Sequence, residues 1–383
     1  MQQSEQVAQL KKLLHYLDTR TTAMADDVYR NNVTDYTDPE QLKLEQNRLF
    51  RHHPLFMGLS CRAEKPGDYF TDDYSGVPIL VVRDRSGTLN AFINTCRHRG
   101  AKVVDGCGGA RAFSCPYHAW TYGLDGRLMS RPHEEAFEGM DKAEHGLVPL
   151  PVVEKYGMIW VGATPGETFD IDEQLGGLGA EMAAYGLGSY SHYETRTSTQ
   201  PMNWKLVLDT FLESYHINVL HVKTIDPILH SNLGTFDGYG RNLRMIIARR
   251  TLGQLREQPE QEWDLMPYTA VVYILFPNTV FVVQGDHLET WHIYPSRDNP
   301  NESQMMISLY TPEPAITDSA KGHWDRNFDL LMRTVEDEDF PLGSNVQRGF
   351  HAGAQTHITF GRNEPSLAHF HRSIKQALGL AAA

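Results

Sequence analysis

The stretch CRHRGAKVVDGCGGARAFSCPYH, residues 96–118, contains two short ligand pairs, Cys96-x-His98 and Cys115-x-x-His118, with 16 residues between them. Each pair offers one thiolate and one imidazole. Two such loops can place both sulfurs on one iron of a [2Fe-2S] cluster and both nitrogens on the other, and the neutral imidazoles raise its reduction potential above that of an all-cysteine cluster. Two Cys and two His also satisfy tetrahedral zinc, but zinc sites more often group like ligands together. The mixed order here favours the asymmetric diiron cluster. Gly100, Gly106, Gly108 and Gly109 are expected to let backbone amides approach the sulfurs, and Pro116 to stiffen the second loop. Cys107 has no partner at a ligand spacing and reads as a free thiol.

Outward from this stretch the texture is that of short strands. VPILVVRD (77–84), LNAFINT (89–95), AWTYG (119–123) and YGMIWVGA (156–163) are separated by turn residues such as Arg85-Ser86-Gly87 and Leu124-Asp125-Gly126. They predict a small antiparallel β domain over 51–166 with the ligand pairs on loops at one end. Residues 1–50 form a helical segment: Val7, Leu10, Leu14 and Leu17 recur at helical spacing, and Asp38-Pro39-Glu40 is a helix start. That segment is expected to pack on the second domain, 167–383. The second domain carries a helix with Trp204, Val207, Leu208, Phe211 and Leu212 on one face, β-like stretches near 241–252, 268–294 and 303–311, and a further helix over 323–340. The fold class predicted is α+β, two domains, the second an antiparallel sheet flanked by helices.

Composition narrows the function. The net charge of −13 over 383 residues excludes a general basic surface for nucleic acid. The longest apolar runs are too short for a membrane span, the N-terminus lacks an export signal pattern, and four cysteines cannot form a disulfide scaffold. A cytoplasmic protein is expected. Basic residues nevertheless gather around the ligand pairs, as Arg97, Arg99, Lys102, Arg111, Arg127 and Arg131 against Asp105 and Asp125. Such a run is either solvated surface or a docking face.

A second constellation follows in QPMNWKLVLDTFLESYHINVLH (200–221), where Glu213 precedes His216 by three residues and His221 follows by five. On a helix Glu213 and His216 share a face, and His221 reaches the same point only if the helix ends or bends. Two imidazoles and one carboxylate form the facial triad of non-heme Fe(II) oxygenases, which leaves coordination positions open. The carboxylate must come from elsewhere, and the run Glu336-Asp337-Glu338-Asp339 at the end of a helix supplies candidates. Acids there oppose the helix dipole.

These residues resemble the Rieske non-heme iron oxygenases, the terminal α-subunits of ring-hydroxylating dioxygenases and related monooxygenases and demethylases. The resemblance runs from about residue 50 to Phe350. It rests on Asn94-Thr95-Cys96-Arg97-His98-Arg99-Gly100, Cys115-Pro116-Tyr117-His118 with Trp120, Asn203-Trp204-Lys205, the Glu213, His216, His221 spacing, and Glu336-Asp337 followed by Gln347-Arg348-Gly349. It implies a helix-grip catalytic domain, Cys96, His98, Cys115 and His118 as ligands of one [2Fe-2S] cluster per subunit, and His216, His221 and Asp337 as ligands of one mononuclear Fe(II). It also implies a homotrimer in which Glu213 bridges the cluster of one protomer and the iron of the next. Most aromatic dioxygenases have Asp at that position, and Glu213 is more similar to the branch that oxidises quaternary amines.

The implied activity is that of the terminal component of a multicomponent oxygenase. It hydroxylates a small aromatic or quaternary-amine substrate with O₂ and electrons from NAD(P)H through a flavin reductase or ferredoxin, as in aromatic hydrocarbon catabolism. A Rieske electron-transfer protein without oxygenase activity is the alternative, but it leaves His216 and His221 unexplained. Asp209, one turn before Glu213, is placed in the electron path. Phe276, Asn278, Phe281, Val283 and Trp291, from the β run at 275–295, are the candidate pocket residues. An aromatic-lined pocket suits a planar ring or a quaternary ammonium.

Overall fold

The computed structural model describes residues 1–380. They separate into two compact units, one of Asn47–Ile171 with Leu187–Ser189, the other of Met1–Gln46, Asp172–Gly186 and the chain from Tyr190 onward. No helix among the described residues is long and apolar enough to cross a membrane.

The smaller unit is built of three antiparallel sheets of five, three and three strands. Its core joins the strand residues Leu80, Val82 and Phe92 to Cys96, Cys115, Trp120 and Tyr122 from the ligand loops and the short strand that follows. The loops are therefore anchored by the same apolar burial that holds the sheets. Gly108 and Gly109 lie instead in an exposed strand, Cys107–Gly109, paired with Asp68–Phe70. They serve strand pairing rather than the approach to sulfur expected of them, and Cys107 is an exposed free thiol.

The larger unit is organised on a seven-stranded antiparallel sheet, in the order Ser191–Gln200, Ser303–Thr311, Leu288–Pro295, Thr279–Val283, Thr269–Leu275, Asn242–Arg249, Leu229–Tyr239. The first strand in sequence pairs with the last and forms one edge. It reads SHYETRTSTQ and is half-buried, which is why a search for apolar runs does not find it. The N-terminal helix Gln3–Thr19 turns Leu10, Leu13 and Leu14 inward against the Leu229–Tyr239 strand. Arg244 ties it there: its fully buried guanidinium donates to Glu5 at 2.7 Å, Asp237 at 2.8 Å and Glu181 at 2.8 Å.

Helix Trp204–Phe211 begins at Asn203, whose side chain accepts from the Lys205 amide at 3.0 Å and donates to the carbonyls of Tyr36 and Pro300. Trp204 Nε1 and Lys205 Nζ both reach the buried Glu45 carboxylate. Gln347 accepts from the Asn203 amide at 3.0 Å, so the Asn-Trp-Lys motif and the distant Gln347 lock the start of this helix to the rest of the unit. The C-terminal helical layer runs as Asp318–Thr334, a π-helical turn Val335–Asp339, and Phe340–Phe350.

Candidate metal centres and substrate cavity

The two ligand loops of the smaller unit have matching backbones. The Cys96 amide donates to the Ala101 carbonyl and the Gly100 amide back to the Cys96 carbonyl, at 2.7 and 2.9 Å; the Cys115 amide and the Ala119 amide make the equivalent bonds, to Trp120 and Cys115, both at 2.9 Å. Gly100 and Ala119 each take a positive φ, 79° and 54°, to close their turns. Both thiols are buried. His98 is stacked on Trp120, with ring centroids 4.8 Å apart and planes at 4°, and lies 4.7 Å from the His118 ring. His98 Nδ1 is buried and has no hydrogen-bond partner. Burial pushes the Cys115 thiol up, the neighbouring Cys96 adds to that shift, and burial with His118 holds the His98 imidazole below its usual value. Two buried soft donors and an orphaned imidazole nitrogen fit a Rieske cluster. Tyr122 accepts the Arg97 amide at 2.9 Å, which leaves its hydroxyl hydrogen for Cys96 Sγ at 3.2 Å.

Of the six basic residues around these loops, three are committed elsewhere. Arg131 is buried against Trp120 and Phe137, Lys102 is paired with Asp73 and Asp105, and Arg127 with Asp125. Arg97, Arg99 and Arg111 are exposed.

In the larger unit the helix Trp204–Phe211 ends at Leu212, and the short helix Ile217–Leu220 brings His221 back beside His216. His216 Nε2 and His221 Nε2 are 3.0 Å apart, and Asp339 Oδ1 lies 3.2 Å from the second and 3.7 Å from the first. Metal–nitrogen bonds of about 2.1 Å at right angles would separate two nitrogens by about 3.0 Å, so these atoms fit one octahedral face. Each ring is oriented from behind. His216 Nδ1 is hydrogen-bonded to Glu213 and His221 Nδ1 to Glu338 Oε2 at 2.6 Å, which directs both Nε2 atoms to one point. Glu213 also accepts from the Tyr215 and His216 amides, and Glu338 from the Thr224 hydroxyl.

This geometry corrects the carboxylate predicted from the resemblance. Asp337 is exposed, whereas Asp339 is buried and completes the cluster. Two residues on a helix differ by about 200°, so Asp337 and Asp339 cannot face the same point. The apolar stripe Leu331, Val335 narrows the choice to two acids without deciding between them: three and four residues on from Val335 are Glu338 and Asp339. Asp209 stands four residues before Glu213. Its two oxygens bind Tyr36 at 2.7 Å and His371 at 2.8 Å, and it makes no hydrogen bond to Glu213 or His216. These bonds tie the last turn of helix Trp204–Phe211, just before Glu213, to Tyr36 and His371.

A cavity of about 390 Å³ opens beside the two histidines. Phe211, Ile217, Ile225, Leu331 and Val335 are among its walls near the metal ligands, and the sheet closes it with Ile247, Val272 and Val282. Arg249, Gln284, Asp286, His287, Glu289 and Asn327 supply polar atoms. None of the five predicted pocket residues lines it. Val272, Val282 and Glu289 sit in cross-strand register on the cavity face, so Phe281 and Val283, one residue out of phase, point to the other face. Phe276 and Asn278 flank the turn before that strand, and Trp291 stands behind Phe211 at 5.0 Å.

Comparison with known proteins agrees with this arrangement. Residues 58–154 match the model of the Rieske [2Fe-2S] domain, and residues 187–380 that of the ring hydroxylating alpha subunit catalytic domain. The chain is 33% identical over 355 residues to the carnitine monooxygenase oxygenase subunit of Escherichia coli K12, covering 89% of this chain and 91% of that one. It is 28% identical over 377 residues to the chloroplastic choline monooxygenase of Amaranthus tricolor, covering 96% and 82%. A crystal structure of a quaternary ammonium Rieske monooxygenase superposes with a TM-score of 0.79 at 22% identity, over 92% of this chain and 96% of that one. A naphthalene 1,2-dioxygenase superposes at 0.74 and 18%, over 91% and 92%. With a [2Fe-2S] cluster and a mononuclear iron as cofactors, the chain belongs to the Rieske non-heme iron oxygenase α-subunits, O₂-dependent oxidoreductases of multicomponent systems.

Proposed function

We propose that this chain is the oxygenase component of a monooxygenase for a quaternary ammonium compound, with Cys96, His98, Cys115 and His118 holding the cluster and His216, His221 and Asp339 the iron. The observation that carries the reading is the convergence of three ligand atoms beside a largely apolar cavity. A bound cluster supplies single electrons, and a bound iron supplies the site of O₂ reduction.

The chain's own residues select the substrate. Phe211 is the one phenyl ring lining the cavity among the described residues, against several aliphatic side chains and the carboxylates of Glu213, Asp286, Glu289 and Asp339. Branched aliphatic walls suit the methyl groups of a trimethylammonium, and the carboxylates favour its charge. The relatives named for carnitine and choline support the same class.

Glu213 is the residue proposed to couple the iron to a neighbouring protomer's cluster in a homotrimer. Its support is the hydrogen bond to His216 Nδ1, together with a second depression of about 250 Å³ that Glu213 and His216 share with the exposed Leu342 and Val346. Arg97, Arg99 and Arg111 are the proposed docking charges for a ferredoxin or flavin reductase; the apparent affinity for an acidic partner should then weaken as salt rises.

Metal analysis and product analysis with ¹⁸O₂ test the reading. About three irons per chain and an oxygenated product from a trimethylammonium compound support it. About two irons with no product would establish an electron carrier instead.

A further inference from the structure

Among the described residues, Arg249 is the one cationic side chain on the cavity wall that has no carboxylate partner. It ends the Asn242–Arg249 strand, half-buried, with Nε donating to the Thr269 carbonyl at 3.0 Å and Nη2 to Gln284 Oε1 at 2.8 Å. The cavity's acids nearby are already matched. His287 Nδ1 meets Asp286 at 2.7 Å, His287 Nε2 meets Glu289 at 3.0 Å, and His323 reaches the other oxygen of Asp286 at 3.2 Å.

These contacts assign the ionic states. The two acids raise His287 to about 9 against the opposing effect of burial, and His287 in turn holds Asp286 at about 2. Asp286 thus carries a negative charge and His287 a positive one at neutral pH, with Glu289 hydrogen-bonded to His287. Burial disfavours the Arg249 charge, and only the more distant Asp286 favours it. A guanidinium held by two neutral acceptors keeps donors free for a planar anion, its preferred partner.

Arg249 and Gln284 line the same cavity as His216, His221 and Asp339 but hydrogen-bond to none of them, so a group bound at Arg249 would sit on the wall apart from the converging ligands.

We infer that Arg249, with Gln284 orienting it, is the anchor for a carboxylate at the end of the substrate remote from the reacting carbon, so that the preferred substrates are zwitterionic trimethylammonium acids rather than alcohols such as choline. The inference rests on the quaternary-ammonium reading for one end of the molecule and on Arg249 alone for the other.

The two parts are separable by matched probes. Calorimetric titration of the anaerobic, metal-loaded protein would compare L-carnitine with its methyl ester, and benzoate with benzyl alcohol. In the native protein L-carnitine should bind roughly 10- to 100-fold more tightly than its ester, the range of a charge-assisted hydrogen bond. Arg249→Met should abolish that preference, and Arg249→Lys should restore part of it. Equal binding within both pairs by the native protein overturns the inference without need of any variant, as does failure of both carboxylates to bind. A preference confined to benzoate over benzyl alcohol upholds Arg249 as the anchor and overturns the trimethylammonium class instead.

Discussion

His221 and Glu338 are joined through Nδ1 at 2.6 Å, and this one bond sets the direction of the imidazole face that meets Asp339 at 3.2 Å. The π-helical turn that supplies both acids therefore provides a ligand and the support of its neighbouring ligand. Asp339→Ala should lower iron from about three to about two per chain while leaving the visible cluster absorption intact. Asp337→Ala should leave all three. Glu338→Gln should weaken mononuclear iron binding by about 10- to 100-fold, the usual cost of removing an outer-shell partner. Metal analysis after dialysis decides all three, and iron loss from Asp337→Ala in place of Asp339→Ala would restore the original assignment.

Glu213 touches His216 and two backbone amides but is not among the three converging ligands. With iron and substrate supplied at saturation, Glu213→Gln should carry both metal centres, yet lose product formation at least 100-fold when the cluster is reduced beforehand. Single-turnover measurements on the pre-reduced protein would show this. Full product yield would remove Glu213 from the electron path.

Tyr122 points its hydroxyl hydrogen at Cys96 because its oxygen is occupied by the Arg97 amide. A hydrogen bond to a cluster sulfur stabilises the reduced, more negative state. Tyr122→Phe should lower the reduction potential by about 40 mV, the one-electron equivalent of a net hydrogen bond of about 1 kcal/mol. Protein-film voltammetry would measure it, and an unchanged potential would mean that the hydroxyl does not donate to sulfur.

Glu45 and Lys205 form an ion pair with both side chains buried, and Trp204 Nε1 donates to the same carboxylate at 2.7 Å. Removing one partner strands the other charge. Glu45→Ala should cost about 3–5 kcal/mol, whereas the paired change Glu45→Leu with Lys205→Met should recover most of it. Chemical denaturation followed by tryptophan fluorescence would compare them.

His287 gives stability a pH dependence whose sign is set by its raised value. Its folded-state proton is held up to about 9 from an ordinary 6.5, so its contribution is complete below pH 6.5 and fades as pH rises through about 9. Asp286 is lowered from 3.8 to about 2, so its share is present above pH 3.8 and fades only in stronger acid. The thermal stability advantage of the native protein over His287→Gln should be several degrees near pH 6 and largely vanish by about pH 9.5. A gap that is constant across this range would place the effect in packing alone.

The sequence by itself determined the two ligand loops, the Glu213, His216, His221 spacing and the two-part α+β architecture, because all of these are written in local order. A Cys-x-His loop closes over five residues, and apolar periodicity marks strands and helices one at a time. Tertiary structure alone decided which acid of Glu336 to Asp339 meets the histidines, which phase of the strands faces the cavity, and that Arg249 and Asp286 share its wall. The edge strand Ser191–Gln200 belongs with these, since its polar residues are ordered by pairing with Ser303–Thr311 more than a hundred residues away. The reason is the same in each case. A helical turn or a one-residue strand phase changes which face a side chain occupies without altering composition, and only packing against distant elements selects among the faces.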